Sequence, residues 1–173
     1  VVGDPIHGKI YLRYTDDAGE SWTEKLAAAP FVTEGEACFA SSGSNILLRK
    51  DGGYLLVTGG IKSNLYADNS TLPLDIIQGR ESTGANSIAT YKNKYFTIVG
   101  GDFTNDKNPT GNCLFTADLK NGFHKPATPP HGYRSCVIYI SKEMMLCCGT
   151  SGIDISRDSG NNLEVISGKS FHV

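Results

Sequence analysis

The sequence predicts an all-β fold built from short antiparallel strands that repeat along the chain. Apolar runs that end in glycine recur at residues 1–3, 54–60, 95–101 and 144–149. The first glycines of these runs are spaced by roughly 40–55 residues, which suits a repeated four-stranded unit. No segment keeps an apolar period of about 3.6 residues, so we expect almost no helix.

The glycine-ended run is the second of four candidate strands in each repeat. An apolar stretch precedes it at residues 37–40, 87–91 and 136–140. Third strands follow at residues 9–14, 63–67, 112–116 and 153–156, and a fourth is clearest at residues 22–26 and 163–166. Four short antiparallel strands in each repeat are typical of one blade of a β-propeller.

The repeats divide the 173 residues into parts of one propeller domain. We assign a partial blade to residues 1–30, blades to residues 31–78, 79–128 and 129–168, and the start of a further blade to residues 169–173. A propeller hides its strand edges only by closing. We therefore expect an incomplete ring, which implies a larger parent chain or self-association through the open propeller edges.

The composition indicates a folded domain and excludes several partners. Hydrophobic residues make up 39% of the chain and the formal net charge is -2. Without a long basic run nothing favours nucleic acid, and no apolar run reaches the roughly 18–20 residues of a membrane-spanning helix. The five cysteines contain no C-x-x-C pair, and the adjacent Cys147 and Cys148 should point to opposite faces of a strand. We expect no metal and no cofactor.

One eight-residue motif stands between the third and fourth strands of the first repeat. Residues 15–22 read Thr-Asp-Asp-Ala-Gly-Glu-Ser-Trp and fit Ser/Thr-x-Asp-x-Gly-x-x-Trp from Thr15 onward. We expect Asp17 to accept backbone hydrogen bonds of its own turn, and Gly19 to adopt a positive φ. Trp22 opens the next strand, where its ring should be largely buried.

The motif recurs in weaker form. Residues 156–163 retain Ser156, Asp158 and Gly160 but have leucine in place of tryptophan. Residues 116–123 are more degraded, with the glycine displaced and phenylalanine as the aromatic residue. Because the hairpins themselves use the carboxylates, we interpret these motifs as structural turns and not as catalytic groups.

This octapeptide is the Asp-box, or BNR-repeat, signature. On it, and on residues 3–9, 35–43, 99–103 and 132–135, the chain resembles the Asp-box propellers similar to photosystem II assembly and stability factors. The resemblance covers nearly all of the chain. It implies a propeller, a scaffolding role in the photosynthetic members, and an extracytoplasmic (secreted or periplasmic) location. Bacterial relatives of that group are often labelled oxidoreductase or glycosyl hydrolase.

Two enzymatic alternatives stay open. A sialidase-like glycosidase needs three arginines that clamp a carboxylate, a Tyr–Glu pair and an acid, and the arginines here are residues 13, 49, 80, 134 and 157. Nothing in their spacing gathers three of them. A redox enzyme needs a cofactor site, but the sequence shows neither a dinucleotide fingerprint nor iron–sulfur cysteine spacing.

A ligand site is expected where loops converge at the mouth of the central channel. Loops that lead into innermost strands contribute Glu36 and Arg134, and a loop after a second strand contributes Asp102. These three residues form our candidate ligand-binding collar, unless Glu36 and Arg134 only pair with each other or with loop backbone. Tyrosine and phenylalanine are assigned to packing. The sequence therefore favours a non-catalytic scaffold or ligand-binding module, with an unknown protein or small molecule as partner.

Overall fold

The computed structural model describes residues 1–24, 29–39, 43–67 and 70–171. Its strands are β1 (Val2–Ile6), β2 (Lys9–Tyr14), β3 (Thr23–Glu24), β4 (Glu36–Ala37), β5 (Ile46–Leu48), β6 (Tyr54–Val57), β7 (Gly59–Gly60), β8 (Asn64–Ala67), β9 (Ser70–Pro73), β10 (Thr83–Tyr91), β11 (Tyr95–Asp102), β12 (Cys113–Thr116), β13 (Cys136–Tyr139), β14 (Met145–Gly149), β15 (Gly152–Ser156) and β16 (Leu163–Ser167). Within these ranges the one helical element is a 3-10 turn, Leu119–Asn121. The predicted all-β class is confirmed. In the same ranges no helix is long and apolar enough to cross a membrane.

The strands form four antiparallel sheets, of which the second and third interleave along the chain because β4 and β7 pair with the third. The first has the order β1-β2-β3, the second β5-β6-β8-β9, the third β12-β11-β10-β7-β4, and the fourth β13-β14-β15-β16. Two of the four sheets thus have the expected four strands. The described residues do not close into a ring.

Three apolar clusters lie between successive sheets. Leu56 packs with Ile10 of the first sheet, whereas its neighbour Leu55 packs with Ile98 of the third. Val99 in turn packs with the fourth sheet. Successive residues of a strand point to opposite faces, so these adjacent pairs bury both faces of the second and third sheets. The four sheets are therefore stacked face to face in chain order.

The glycines at the ends of the apolar runs bring the backbones of successive repeats into contact. Gly59 pairs with Gly84 of the next unit. The carbonyl of Gly100 accepts a hydrogen bond from the Arg134 N–H at 2.8 Å, and that of Gly149 accepts one from Phe171 at 3.1 Å. A Cβ on Gly59 would lie 3.0 Å from the Gly84 Cα, a tighter contact than most Cβ atoms make, so the facing backbone would have to shift. The glycine repeat in the sequence therefore marks the places where two backbones must touch.

The innermost strand of the second repeat differs from the prediction. One strand is expected at residues 37–40. The structure instead has two short strands, β4 and β5, which pair with β7 and β6 of the run at residues 54–60. Glu36 and Ala37 oppose Gly60 and Gly59, and Ile46 opposes Leu56. Ala40 lies outside the described residues.

The fourth strand of this repeat, β9, is not one of the two fourth strands that the sequence makes clear, at residues 22–26 and 163–166. β9 pairs along its whole length with β8, although all four of its side chains are exposed. A strand with no buried side chain lacks the apolar alternation from which strands are predicted.

Candidate functional site

The three residues of the predicted collar are buried. Glu36 and Asp102 are each 5% exposed and Arg134 is 0% exposed. Charged side chains are seldom fully buried unless they are paired or hydrogen-bonded. The partners of each residue therefore decide whether it can bind a ligand.

Glu36 is held by four hydrogen bonds. Its Oε2 accepts the Thr33 N–H at 2.9 Å, while its Oε1 accepts the Thr58 hydroxyl at 2.5 Å, the Asn64 amide at 2.9 Å and the Tyr66 hydroxyl at 2.8 Å. Burial, and then the hydrogen bond to this carboxylate, raise the pKa of Tyr66. The carboxylate links the loop before β4 to β8 through these hydrogen bonds.

Arg134 pairs with Asp154 of β15, and not with Glu36. Its Nε donates to Asp154 Oδ2 at 2.5 Å, and Nη2 contacts the same oxygen. Nη1 donates to the Tyr133 carbonyl and the Ser151 hydroxyl, both at 2.7 Å. The ring of the exposed His131 lies 3.4 Å from the other oxygen of Asp154. Arg134 is thus part of a buried ion pair inside the fourth sheet.

Asp102 shapes its own loop. Its Oδ1 accepts hydrogen bonds from the Thr104 N–H at 2.9 Å and the Thr104 hydroxyl at 2.7 Å. Burial alone would raise the pKa of Asp102, but the hydrogen bonds from Thr104 and Ser82 outweigh it and lower that pKa. This turn leaves the next residue, Phe103, on the outside.

Three aromatic rings meet where these loops converge, and we call Phe39, Phe103 and Tyr133 the aromatic row. The Phe39 and Phe103 ring centroids are 6.1 Å apart at an interplanar angle of 88°, and those of Phe103 and Tyr133 are 6.1 Å apart at 76°. Edge-to-face contacts of this kind are favourable for aromatic pairs. The row spans the second, third and fourth units of the chain.

One end of the aromatic row is anchored and its centre is open. Tyr133 is 4% exposed, and its hydroxyl accepts a hydrogen bond from the Asn86 amide at 2.7 Å. Burial raises the pKa of Tyr133 to about 12, against the effect of that hydrogen bond. Phe103 is 45% exposed. The row therefore presents one apolar ring to solvent from a rigid support.

The loops that carry the predicted collar residues meet through their aromatic neighbours, and the three charged side chains do not face a common site. Phe39, Phe103 and Tyr133 each lie within three residues of a predicted collar residue. The three charged side chains of the collar are buried, and the three rings of the aromatic row contact one another. Phe103 packs against two rings, as its assignment to packing implies, but its side chain is also 45% exposed. Its position directly after a glycine-ended strand, in a polar loop, could have indicated that its ring is exposed.

Polar residues surround Phe103. Its N–H donates to the Ser82 carbonyl at 3.1 Å, and the Thr104 hydroxyl contacts the Ser82 hydroxyl at 3.3 Å. These contacts join the loops that carry five exposed polar side chains, Arg80, Glu81, Thr104, Asn105 and Lys107. An exposed aromatic ring inside a mixed-charge rim is the usual composition of a recognition surface.

The hairpins at residues 15–22 and 156–163 share one hydrogen-bond pattern. In the first, the Thr15 hydroxyl accepts the Gly19 N–H at 2.9 Å and Asp17 Oδ1 accepts the Ser21 N–H at 2.9 Å. Gly19 has a φ of 99°. The pKa of Asp17 is lowered, chiefly by the hydrogen bond from the Ser21 side chain.

The second hairpin repeats these bonds in order. The Ser156 hydroxyl accepts the Gly160 N–H at 2.9 Å, and Asp158 Oδ1 accepts the Asn162 N–H at 2.8 Å. Gly160 has a φ of 100°. The expected backbone hydrogen bonds and positive φ angles are thus confirmed. The degraded copy departs from the pattern, since Asp118 begins the 3-10 turn and accepts the Lys120 N–H.

The expected burial of Trp22 is wrong, because its side chain is 43% exposed. It lines a cavity of about 290 Å³ together with Leu12, Ile46 and Tyr54. β3, which follows it, is two residues long and exposed. The ring therefore covers the edge of the cluster between the first two sheets without being enclosed by it.

Four of the five arginines are engaged by carboxylates of their own sheet or turn. The pairs are Arg13–Glu24, Arg49–Asp51, Arg134–Asp154 and Arg157–Glu164. A sialidase-like clamp would need three of these side chains to be shared by one anion. In the part of the chain that the structure describes, no group of three or more His, Cys, Asp or Glu side chains could hold a metal.

The sequence matches no protein-family model and shows no significant similarity to a curated protein.

Proposed function

We propose that the chain is part of an Asp-box propeller that serves as a non-catalytic interaction module, with its partner bound on the aromatic row. Two hairpins with the same Thr/Ser–Asp–Gly hydrogen-bond pattern support the Asp-box assignment. Four sheets stacked in chain order support the propeller.

The exposed ring of Phe103 carries the proposal for binding. It stands between Phe39 and the anchored Tyr133, so its orientation is fixed before any partner arrives. Aromatic residues held in this way lose little conformational entropy on binding and often dominate the binding energy of an interface. The rim of Arg80, Glu81 and Lys107 supplies charge for orientation and specificity.

The buried charges favour binding over catalysis. A general acid or base must reach substrate, and the Glu36 carboxylate already accepts four hydrogen bonds from its own loop, from Thr58 and from β8. Arg134 is neutralised by Asp154. These side chains hold the loops in place so that the aromatic row keeps its geometry.

The partner is a protein segment with an apolar anchor side chain and flanking charges. Phe103 offers an apolar contact without a hydrogen-bonding group, and both signs of charge stand around it. A peptide that places a leucine or an aromatic residue on Phe103 would bury that ring and leave its own charged residues in the rim.

A random-peptide phage library selected against the folded chain tests this proposal. The selected peptides are then measured by calorimetry against the wild type, Phe103→Ala and Leu48→Ala. Leu48 is 82% exposed on the second sheet and is a matched apolar control. We expect Phe103→Ala to weaken binding by at least about tenfold, or roughly 1.4 kcal/mol, and Leu48→Ala to have no effect.

Two results would contradict it. One is a set of peptides whose affinity falls equally in both variants, since the aromatic row would then have no special role. The other is a selection that yields no peptide above the background of an unrelated β domain. Thermal melts of both variants check that any loss is not due to unfolding.

A further inference from the structure

Cys136 and Cys148 lie directly opposite each other on the first two strands of the fourth sheet. They are Cα partners in the antiparallel ladder of β13 and β14. Opposite residues of such a ladder have Cα atoms about 4.5–5.5 Å apart and side chains on the same face, which lies within the Cα separation of disulfides. All five thiols are free in the structure.

This pair differs from the other three cysteines in its access to solvent. Cys136 and Cys148 are half-buried, whereas Cys38, Cys113 and Cys147 are each 1% exposed. Burial raises the pKa of Cys38 and of Cys113 to about 12 and that of Cys147 well above its usual range. The three core thiols are therefore poor nucleophiles.

The two half-buried thiols also contact each other. Burial raises the pKa of Cys148, and the Cys136 thiol adds to the rise through its charge and a hydrogen bond, against the effect of the Arg134 charge. The pair stands among apolar side chains of the outward face of the sheet, next to Ile138 and Leu146. Cys147 points to the opposite, buried face, as the strand alternation predicts.

We propose that Cys136 and Cys148 form a reversible cross-strand disulfide, with a low-molecular-weight disulfide such as glutathione disulfide as the oxidant. The Cys136 thiolate attacks one sulfur of glutathione disulfide, which forms a mixed disulfide and releases one glutathione thiolate. The Cys148 thiolate then attacks the Cys136 sulfur and releases the second glutathione. Two protein thiols lose two protons and two electrons, and one glutathione disulfide is reduced to two glutathiones.

The bond would fix β13 to β14 close to the aromatic row. Tyr133 and Arg134 immediately precede β13, and the Ser135 N–H donates to the Cys148 carbonyl at 2.8 Å. Oxidation would therefore tie the anchored end of the row covalently to the second strand of its sheet. The proposal holds whether or not the aromatic row binds a peptide, because neither thiol belongs to that row.

Oxidation of the folded chain in graded glutathione buffers tests the proposal. Free thiols are trapped with N-ethylmaleimide, and the products are analysed by mass spectrometry before and after proteolysis. We expect the protein to lose two hydrogens in one transition, and one cross-linked peptide to join Cys136 to Cys148. The three buried thiols should react more slowly, on the order of tenfold or more.

Two single variants show whether the cross-link needs this pair of cysteines. Cys136→Ser should show no internal cross-link and should carry glutathione only on Cys148, while Cys38→Ala should cross-link like the wild type. Separate glutathione adducts on Cys136 and Cys148 without a cross-link would overturn the proposal. So would a cross-link that involves a core thiol, or five thiols that stay reduced in the most oxidising buffer.

Discussion

The Arg134 guanidinium and the Asp154 carboxylate form an ion pair whose side chains are both 0% exposed. The pair joins the loop before β13 to β15, and its remaining hydrogen bonds go to Tyr133 and Ser151. A residue predicted as a ligand-binding cation is therefore a structural element of the fourth sheet.

We expect Arg134→Met to lower the free energy of unfolding by about 3–5 kcal/mol, because it leaves the Asp154 carboxylate buried without its cation. The double variant Arg134→Met/Asp154→Leu should recover most of this loss, since no charge remains to be desolvated. Urea unfolding curves measure both. If the double variant is as unstable as the single one, packing and not charge explains the effect.

Trp22→Ala should cost about 1–2 kcal/mol, since only part of the ring is removed from solvent. Leu56→Ala, at a residue with 0% exposure, should cost about 2–5 kcal/mol. Both are measured by denaturant unfolding at one pH. A larger loss for Trp22→Ala than for Leu56→Ala would mean that the tryptophan is a core residue after all.

Gly84→Ala should destabilise the chain far more than Gly52→Ala. Both glycines have positive φ, 127° and 84°, which costs a side chain about 1–2 kcal/mol. A Cβ on Gly84 would also lie 2.9 Å from the Gly60 nitrogen, whereas one on Gly52 would meet nothing within 4 Å. We expect Gly84→Ala to lower the free energy of unfolding, measured by urea denaturation, by at least about 3 kcal/mol. Equal losses would show that the close contact between β10 and β7 can relax.

The two aspartate hairpins should make stability depend on pH in acid. Hydrogen bonds lower the pKa of Asp17 and, against burial, that of Asp158, so the unfolded chain takes up protons first as the pH falls. The stabilisation is complete above the unfolded pKa of about 3.9 and is lost as the pH falls through the folded values. Urea midpoints at about pH 7, 4 and 2.5 measure this loss.

Asp158→Asn should make that acid dependence shallower, because the group that titrates is gone while the shape of the side chain is kept. Asp16→Asn, at an exposed position beside Asp17, is the matched control. An acid dependence unchanged by Asp158→Asn would rule out this carboxylate as a source of the effect.

Most of the strands could be predicted from the sequence, because strands with a buried face are rich in apolar residues. The runs at residues 54–60 and 95–101 became β6, β7 and β11. β9 was not predictable, since all four of its side chains are exposed and it is recognised only by its pairing with β8. Trp22 was misjudged because burial depends on the neighbouring sheet, which the motif does not specify.

The candidate site was harder to predict than the fold. The positions of Glu36, Asp102 and Arg134 indicated which loops converge, but not the direction of their side chains. That direction is set by partners such as Asn64 and Asp154, which lie 28 and 20 residues away from Glu36 and Arg134. Asp154 is the one charged residue of β15 and lies between two isoleucines, and that break in the apolar pattern indicated a buried partner.

The break between β4 and β5 gives the chain a place where its length can change. The Val57 N–H donates to the Asn45 carbonyl, and Ala37 opposes Gly59. Residues 54–60 are therefore paired with the chain on both sides of the intervening residues. The Asn45 amide donates to the Cys38 carbonyl and closes the base of this segment. Insertions or deletions here would leave the register of the sheet intact. Because Phe39 belongs to this segment, homologues could diversify their recognition surface at this one point without redesigning the scaffold.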